Sequence, residues 1–331
     1  MLSLNCKDRL KEGKNLFAFS AGIDSSALFF LLIENKIEFD IALVNYGLRE
    51  ESIKEEEYAL SLATKYNLQA YIIKAPKFHN NFEKSARDFR YSFFQTLINR
   101  YKYTNLITAH QLNDQLEWFL MRLVKGAGLP ELLGLESISV RDNYTLIRPI
   151  LHHSKEELLD YLNKNRYKYF IDSSNSNPKY ERNYFRKEFA NKLIKRYKNG
   201  IEKSFNYLKK DKDILIGEYK EIFVFKKLYI LKMENSHIKV RLIDKYLKKL
   251  GYLLSSSQRK EIKNNNSIVI GGIWAIEISN NIIFISPYIK KPIPKKYKER
   301  CRVFKIPPKI RGYCYSINLA CYDINFQNKA I

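Results

Sequence analysis

Ser20, Ala21, Gly22, Ile23, Asp24 and Ser25 stand between two apolar runs, residues 16–19 and a segment with helical spacing that ends at Ile33. A buried strand, a tight loop of small residues and a helix start would aim unpaired backbone N–H groups and the positive helix end at one spot. That combination binds anions, phosphates above all. The loop lacks the Gly-Lys-Ser/Thr ending of a Walker A sequence. A plain strand–turn–helix junction would use the same small polar residues. Ala21 fits such a loop if its φ is negative.

Five more groups could do chemistry. Asp114 and Glu117 lie three apart at the start of an expected helix and so face one side. They suit a magnesium ion or the ammonium of an amine substrate, and equally a helix dipole. Arg182 and Arg186, four apart, follow the polar turn at residues 172–175 and read as an N-capped basic helix. Glu83, Arg87, Arg90 and Tyr91 share one helical face. That face makes a Glu83–Arg87 ion pair, or presents guanidiniums to the phosphates of a nucleotide or an RNA. Asn45 ends a strand that turns through Gly47 towards Arg49, either an ordinary exit or a contact for adenine or phosphate. Gly126 and Gly128 cap a helix or admit a ligand to the backbone.

These residues need a scaffold. Strands are expected at 16–19, 41–46, 70–74 and 106–109, with helices at 26–33, 52–66, 83–100 and 114–124. Apolar strands alternating with helices imply an α/β fold with a parallel sheet, whose ligands bind beyond the strands' carboxyl ends. From residue 158 the pattern is helical. Residues 181–207 read as basic helices interrupted near Asn199 and Gly200, which places a domain boundary there: 1–200, then 201–331. The second part is expected to be a smaller, mixed α+β domain. It has helices at 205–218 and 238–250, a hairpin of 273–279 with 282–286 about Asn280-Asn281, and short strands to the end.

The net charge is +23, and residues 201–331 carry 27 Lys and Arg against 11 Asp and Glu, leaving +7 for residues 1–200. Such asymmetry favours a polyanion partner, nucleic acid before a membrane surface. The alternative is a lysine-rich solubility surface. Cys6, Cys301, Cys314 and Cys321 make no metal-binding spacing and read as reduced thiols. No stretch has the apolar core of a signal peptide or the length of a membrane span, so a cytoplasmic protein is expected.

Taken together and in order, these segments resemble the tRNA(Ile)-lysidine synthetase family, a branch of the N-type ATP pyrophosphatases (PP-loop superfamily, adenine nucleotide α-hydrolase-like fold). Its SGGxDS stands at 20–25, VNHGLR at 44–49, ExxARxxRY at 83–91 and TAHxxDxxE at 108–117. GxGL stands at 126–129, LIRP at 146–149, DxSN at 172–175 and RNxxR at 182–186. The likeness covers roughly residues 15–190. Ala21 replaces a Gly, and Tyr46 replaces a His. The resemblance implies that ATP adenylates the wobble cytidine of a CAU-anticodon isoleucine tRNA and that free L-lysine displaces AMP to give lysidine. It implies ATP and Mg2+ as cofactors, with Ser20 to Ser25, Asn45 and His110 at the nucleotide. Asp24, Asp114 and Glu117 would be metal ligands, Arg87, Arg182 and Arg186 would balance phosphate charge, and the basic C-terminal domain would hold tRNA. Three other readings stay open: a base-thiolating relative, which would ordinarily need paired cysteines; a small-molecule amide-forming synthetase; and a non-catalytic RNA-binding protein.

Overall fold

A computed structural model describes residues 2–47, 51–78, 82–171, 181–216 and 219–324. Leu48, Arg49 and the 172–175 motif lie outside the described residues. Chain contacts divide the protein into two units, Met1–Lys210 and Asp211–Ile331.

After a short helix α1 (Lys7–Glu12), the first unit alternates strand and helix. The order is β1 (Asn15–Ala18), α2 (Ile23–Glu34), β2 (Asp40–Asn45), α3 (Glu51–Tyr66), β3 (Ala70–Lys74), α4 (Phe82–Tyr101), β4 (Asn105–Ile107) and α5 (Leu112–Leu123). The chain continues through α6 (Leu129–Leu132), β5 (Ile138–Val140), β6 (Thr145–Ile147), α7 (Lys155–Lys164) and α8 (Glu181–Phe185). A π-helical turn, Arg186–Ala190, leads into α9 (Asn191–Ile216). The strands form one sheet in the order β3-β2-β1-β4-β6-β5, parallel except for β5. Phe17 pairs with Ile41 on one side and Ile107 on the other. Successive residues of β1 serve opposite faces: Phe17 packs with α2, Leu16 with Phe94 and Ile98 of α4. Helix α2 is apolar nearly all round because both its flanks are covered, with Ala27 to Leu32 at most 5% exposed.

Sheet order reverses between β1 and β4, so the crevice for a ligand opens where the loops after those two strands meet. The loops in question carry residues 20–25 and 108–117.

The second unit is a five-stranded antiparallel sheet, ordered β7-β8-β11-β10-β9. Its elements are β7 (Tyr219–Phe225), β8 (Leu228–Met233), α10 (Lys239–Lys249), α11 (Ser256–Asn264), β9 (Ser267–Ile270), β10 (Trp274–Ser279), β11 (Ile282–Pro287), α12 (Lys295–Val303) and α13 (Pro308–Ser316). Both sheet faces are covered. Ile283 and Ile285 pack with Leu242, Tyr246 and Leu247 of α10, while Phe284 between them packs with Cys301 of α12 and Ile310 of α13.

Ala21 has φ +56°, in the left-handed region, so the condition for an easy fit of its methyl group is not met. The interruption expected near Asn199 and Gly200 is present as a kink two residues earlier, at Tyr197 (φ −131°, ψ 22°). The strands expected after residue 298 are helices. Pro294 caps α12, and Pro308 occupies the first turn of α13, positions where a fixed φ and a missing N–H favour a helix start.

Candidate active site

The loop after β1 has the geometry of an anion cradle. Gly22 caps α2 in an extended conformation (φ −74°, ψ 174°), and no side chain caps the helix's first N–H groups. The serines brace the loop from behind. Ser25 Oγ meets Ser20 Oγ at 3.1 Å and donates to the Gly22 carbonyl at 3.2 Å; Ser26 Oγ donates to the Ala21 carbonyl at 3.1 Å. That carbonyl also accepts from Phe170 N at 2.9 Å, which ties the loop to the chain after α7. A left-handed alanine costs about 1–2 kcal/mol relative to glycine. Its methyl group is fully buried in the core, which offsets part of this.

Asp24, one residue into α2, has a buried Oδ1 with no hydrogen-bond partner. Burial and then the nearby charge of Asp114 push its carboxyl up to about 7, against the pull of Lys155 and Arg186. An orphaned buried carboxylate oxygen beside free helix N–H groups is a place for a cation shared with phosphates.

Across the crevice, Gln111 and Asp114 form a capping box on α5. Gln111 takes the Asn113 N–H, and Asp114 Oδ2 accepts from Gln111 N at 3.2 Å. Asp114 therefore caps its helix with one oxygen and keeps the other for the site. Asp114 Oδ1 accepts from Arg182 Nη2 at 2.8 Å. Glu117 accepts from Arg182 Nε at 3.0 Å, and from Arg186 Nε at 2.7 Å and Nη2 at 3.2 Å. Glu117 is 1% exposed. Burial would raise Asp114, but Arg182 and Arg186 outweigh it and hold the carboxyl below the usual range. Glu117 is pushed up, by burial first and by Asp114 second. Both arginines are raised: burial disfavours their cations, and the two carboxylates more than offset it.

His110 sits between these parts, its Nδ1 3.0 Å from Thr108 Oγ1. Burial drives its pKa down to about 3, so the ring is neutral. Asn45 is engaged by its own surroundings, donating to Glu56 Oε2 at 2.7 Å and accepting from Gly47 N at 2.8 Å. Tyr46 donates to the Ala86 carbonyl at 3.2 Å, anchoring the end of β2 on α4. Arg87 is exposed and lies over the Tyr91 ring at 5.3 Å; the Glu83–Arg87 ion pair does not form. Gly126 (φ +69°) closes α5, with Ala127 N donating to Arg122 O and Gly126 N to Leu123 O. That makes it a helix cap, needing glycine for its φ.

Two contributors carry no role in the sequence reading. Lys155, at the start of α7, faces Asp24 electrostatically. Arg148, at the end of β6, is 5% exposed and donates to the Glu136 carbonyl at 2.6 Å and Ser139 Oγ at 3.1 Å, with its Nε unpartnered. A charged residue closing an apolar strand is the signal that marks Arg148. Nothing local marks Lys155. Among the described residues no three His, Cys, Asp or Glu side chains gather closely enough to hold a metal ion by themselves.

A phosphate cradle after β1 facing an acid–arginine network after β4, at the switch point of a parallel sheet, defines the PP-loop class. The PP-loop domain family matches residues 3–193. Over its full length the chain is similar to the tRNA(Ile)-lysidine synthase of Campylobacter jejuni, at 44% identity over 318 residues, covering 96% of this chain and 97% of that one. Those of Wolinella succinogenes (43%, covering 95% and 97%) and Helicobacter pylori (42%, covering 94% and 92%) are comparably similar. The chain belongs to the tRNA(Ile)-lysidine synthase family. A solved U34-tRNA thiolase of Methanococcus maripaludis superposes with a TM-score of 0.51 over 75% of this chain and 85% of that one. At 20% identity this is a likeness of fold alone.

Proposed function

We propose that this protein ligates free L-lysine to C2 of the wobble cytidine in a CAU-anticodon isoleucine tRNA, at the expense of ATP. The observation that carries the reading is Asp24 of the phosphate loop, whose buried Oδ1 has no hydrogen-bond partner, facing the carboxylates of Asp114 and Glu117 with their two arginines. In the first half-reaction the cytidine O2 attacks the α-phosphorus of ATP and pyrophosphate leaves. The N–H groups at the start of α2 are preorganised for the charge that gathers on it. In the second, the ε-amine of lysine attacks C2 and AMP leaves.

Asp24 suits magnesium, a hard cation that ordinarily takes one or two carboxylates plus substrate phosphates. Bound there it would neutralise phosphate charge. Asp114 and Glu117 have their oxygens on guanidiniums, and we assign them to the lysine end of the site rather than to the metal. Only the neutral amine attacks. Glu117, with its raised pKa, is the better proton acceptor of the two. Arg182 and Arg186 balance phosphate charge, as does Arg87 from its exposed position on α4. His110 and the Asn45 strand end border the nucleotide. The basic second unit holds the body of the tRNA. We place the activity in the cytoplasm, where ATP, lysine and tRNA meet; no helix among the described residues is long and apolar enough to cross a membrane.

The test is sequential. Pyrophosphate release should require the cognate tRNA, and AMP release should then require free lysine. Pyrophosphate release without tRNA would favour a small-molecule synthetase, and tRNA binding without any turnover would favour an RNA-binding protein.

A further inference from the structure

The turn that sends Arg182 and Arg186 towards the carboxylates has a second face. Tyr184 is 49% exposed and Phe189 is 41% exposed. Their ring centroids lie 5.7 Å apart at 74°, and each also meets Phe185, at 5.8 Å and 5.7 Å respectively. Side chains two apart on a helix point to nearly opposite sides at 100° per residue, so Tyr184 faces away from both arginines. The chain then passes into the π-helical turn Arg186–Ala190, a geometry frequent at functional sites. One turn thus joins the acid–arginine network to an open aromatic surface.

The surroundings of these rings are cationic. Residues 181–198 hold seven Lys and Arg against Glu181 and Glu188. Lys187 beside the rings is exposed, and Arg196 lies 5.4 Å over the exposed ring of Tyr197 further along α9. Aromatic faces set among cations fit single-stranded nucleic acid, which supplies both π-faces and phosphates. Continuity with the candidate site narrows the choice. A wobble base turned towards Asp114 and Glu117 must leave the stack of its neighbour in the anticodon loop, and that neighbour then needs a new stacking surface.

Given the lysidine-forming reading, on which this rests, we propose that Tyr184 and Phe189 form a stacking platform for the unpaired anticodon-loop base next to the reacting cytidine. They are positioning residues: they hold the loop so that the wobble base reaches the acid–arginine network.

The test uses the full-length protein and a CAU anticodon stem-loop carrying 2-aminopurine beside the wobble position. Tyr184→Leu, Phe189→Leu and the double variant keep apolar bulk and remove the π-faces. Stacking should quench the 2-aminopurine on the wild type and fail to do so on the double variant. Stem-loop affinity should fall about tenfold or more, the range of one lost base–aromatic stack. The salt dependence of binding should stay the same, because no phosphate contact is removed. Tyr184→Phe should restore both signals. Mg·ATP binding without RNA should be unchanged. Wild-type affinity and quenching in the double variant would overturn the platform. So would weakened Mg·ATP binding, which would make the rings a structural support for the arginines. A protein dimer that the leucine variants dissociate would give the face to a second copy of the chain and also overturn it. If the double variant does not fold, the single variants decide the same outcomes. Failure of the wild type to incorporate lysine into the cognate RNA would instead defeat the lysidine reading, and the quenching result would stand apart from it.

Discussion

Asp24 combines an expected catalytic use with a measurable burden on the fold. Its carboxyl titrates at about 7 in the folded protein and near 4 in an unfolded chain. Between those values the unfolded chain has released a proton that the folded protein still holds. Stability from this group therefore falls as pH rises from about 4, and the loss is complete above 7. Asp24→Asn removes the ionisation. The variant should melt above the wild type at pH 8, with the gap narrowing steadily towards pH 5, while tRNA-dependent pyrophosphate release disappears. Melts across that range check the sign: a gap that does not vary with pH would mean that burial of charge is not what Asp24 contributes. Glu117 differs, because its charge is paired. Arg186→Gln leaves a carboxylate that is 1% exposed with one guanidinium fewer, which should cost about 3 kcal/mol in urea unfolding. Adding Glu117→Gln should recover part of that loss, so that the double variant is more stable than the sum of the singles. Strict additivity would mean that the bridge contributes nothing to the folded state.

At the scale of elements, the hairpin of β10 and β11 offers a clean case of local chemistry. Asn280 (φ 49°) and Asn281 (φ 60°) both sit in the left-handed region, the signature of a type I′ turn, in a two-residue loop that keeps Ser279 opposite Ile282. Asn281→Gly should stabilise the protein by about 0.5 kcal/mol, seen as a small rise in melting temperature with lysine incorporation unchanged. That turn was legible because everything that determines it lies in two residues. The parallel strands β1 to β4 were legible too, since each is an apolar run, and β1 and β4 at the centre of the sheet are buried on both faces. Three-residue strands such as Ile138–Val140 and Thr145–Ile147 are too short to show a period, whereas the longer β7–β8 hairpin escaped because its tip, Lys226 and Lys227, carries no Gly, Asn, Asp or Pro to mark a turn. The site divides similarly. Spacing shows that Asp114 with Glu117, and Arg182 with Arg186, share helix faces. It does not show that the two faces bind each other across 65 or more residues, nor that Asp114 spends one oxygen on its own helix. The Ala21 loop is tied down by a tertiary hydrogen bond, from Phe170 N to the Ala21 carbonyl, that no local pattern reveals.

Over the whole molecule the question is where the positive charge works. Residues 217–331 carry 23 Lys and Arg against 8 Asp and Glu, which leaves 35 against 27 for residues 1–216. Every side chain proposed for catalysis precedes Asn191, while a net charge of +15 lies beyond α9. If that charge holds the tRNA body, a fragment ending at Ile216, which keeps α9 whole, should bind Mg·ATP like the full chain and bind tRNA poorly. Each lost phosphate contact lowers the slope of log affinity against log salt by about one. The fragment should therefore show a distinctly shallower slope, and the two affinity curves should converge at high salt. At saturating tRNA it should still release pyrophosphate, because holding the tRNA body sets affinity rather than the geometry of attack. Circular dichroism and melting establish first that the fragment is folded, which its separate hydrophobic core favours. A folded fragment with full tRNA affinity and an unchanged slope would return the recognition surface to the first unit. There the exposed arginines of α4 and the aromatic face beside Arg182 would have to carry it, and the lysines of the second unit would be ordinary solvated surface.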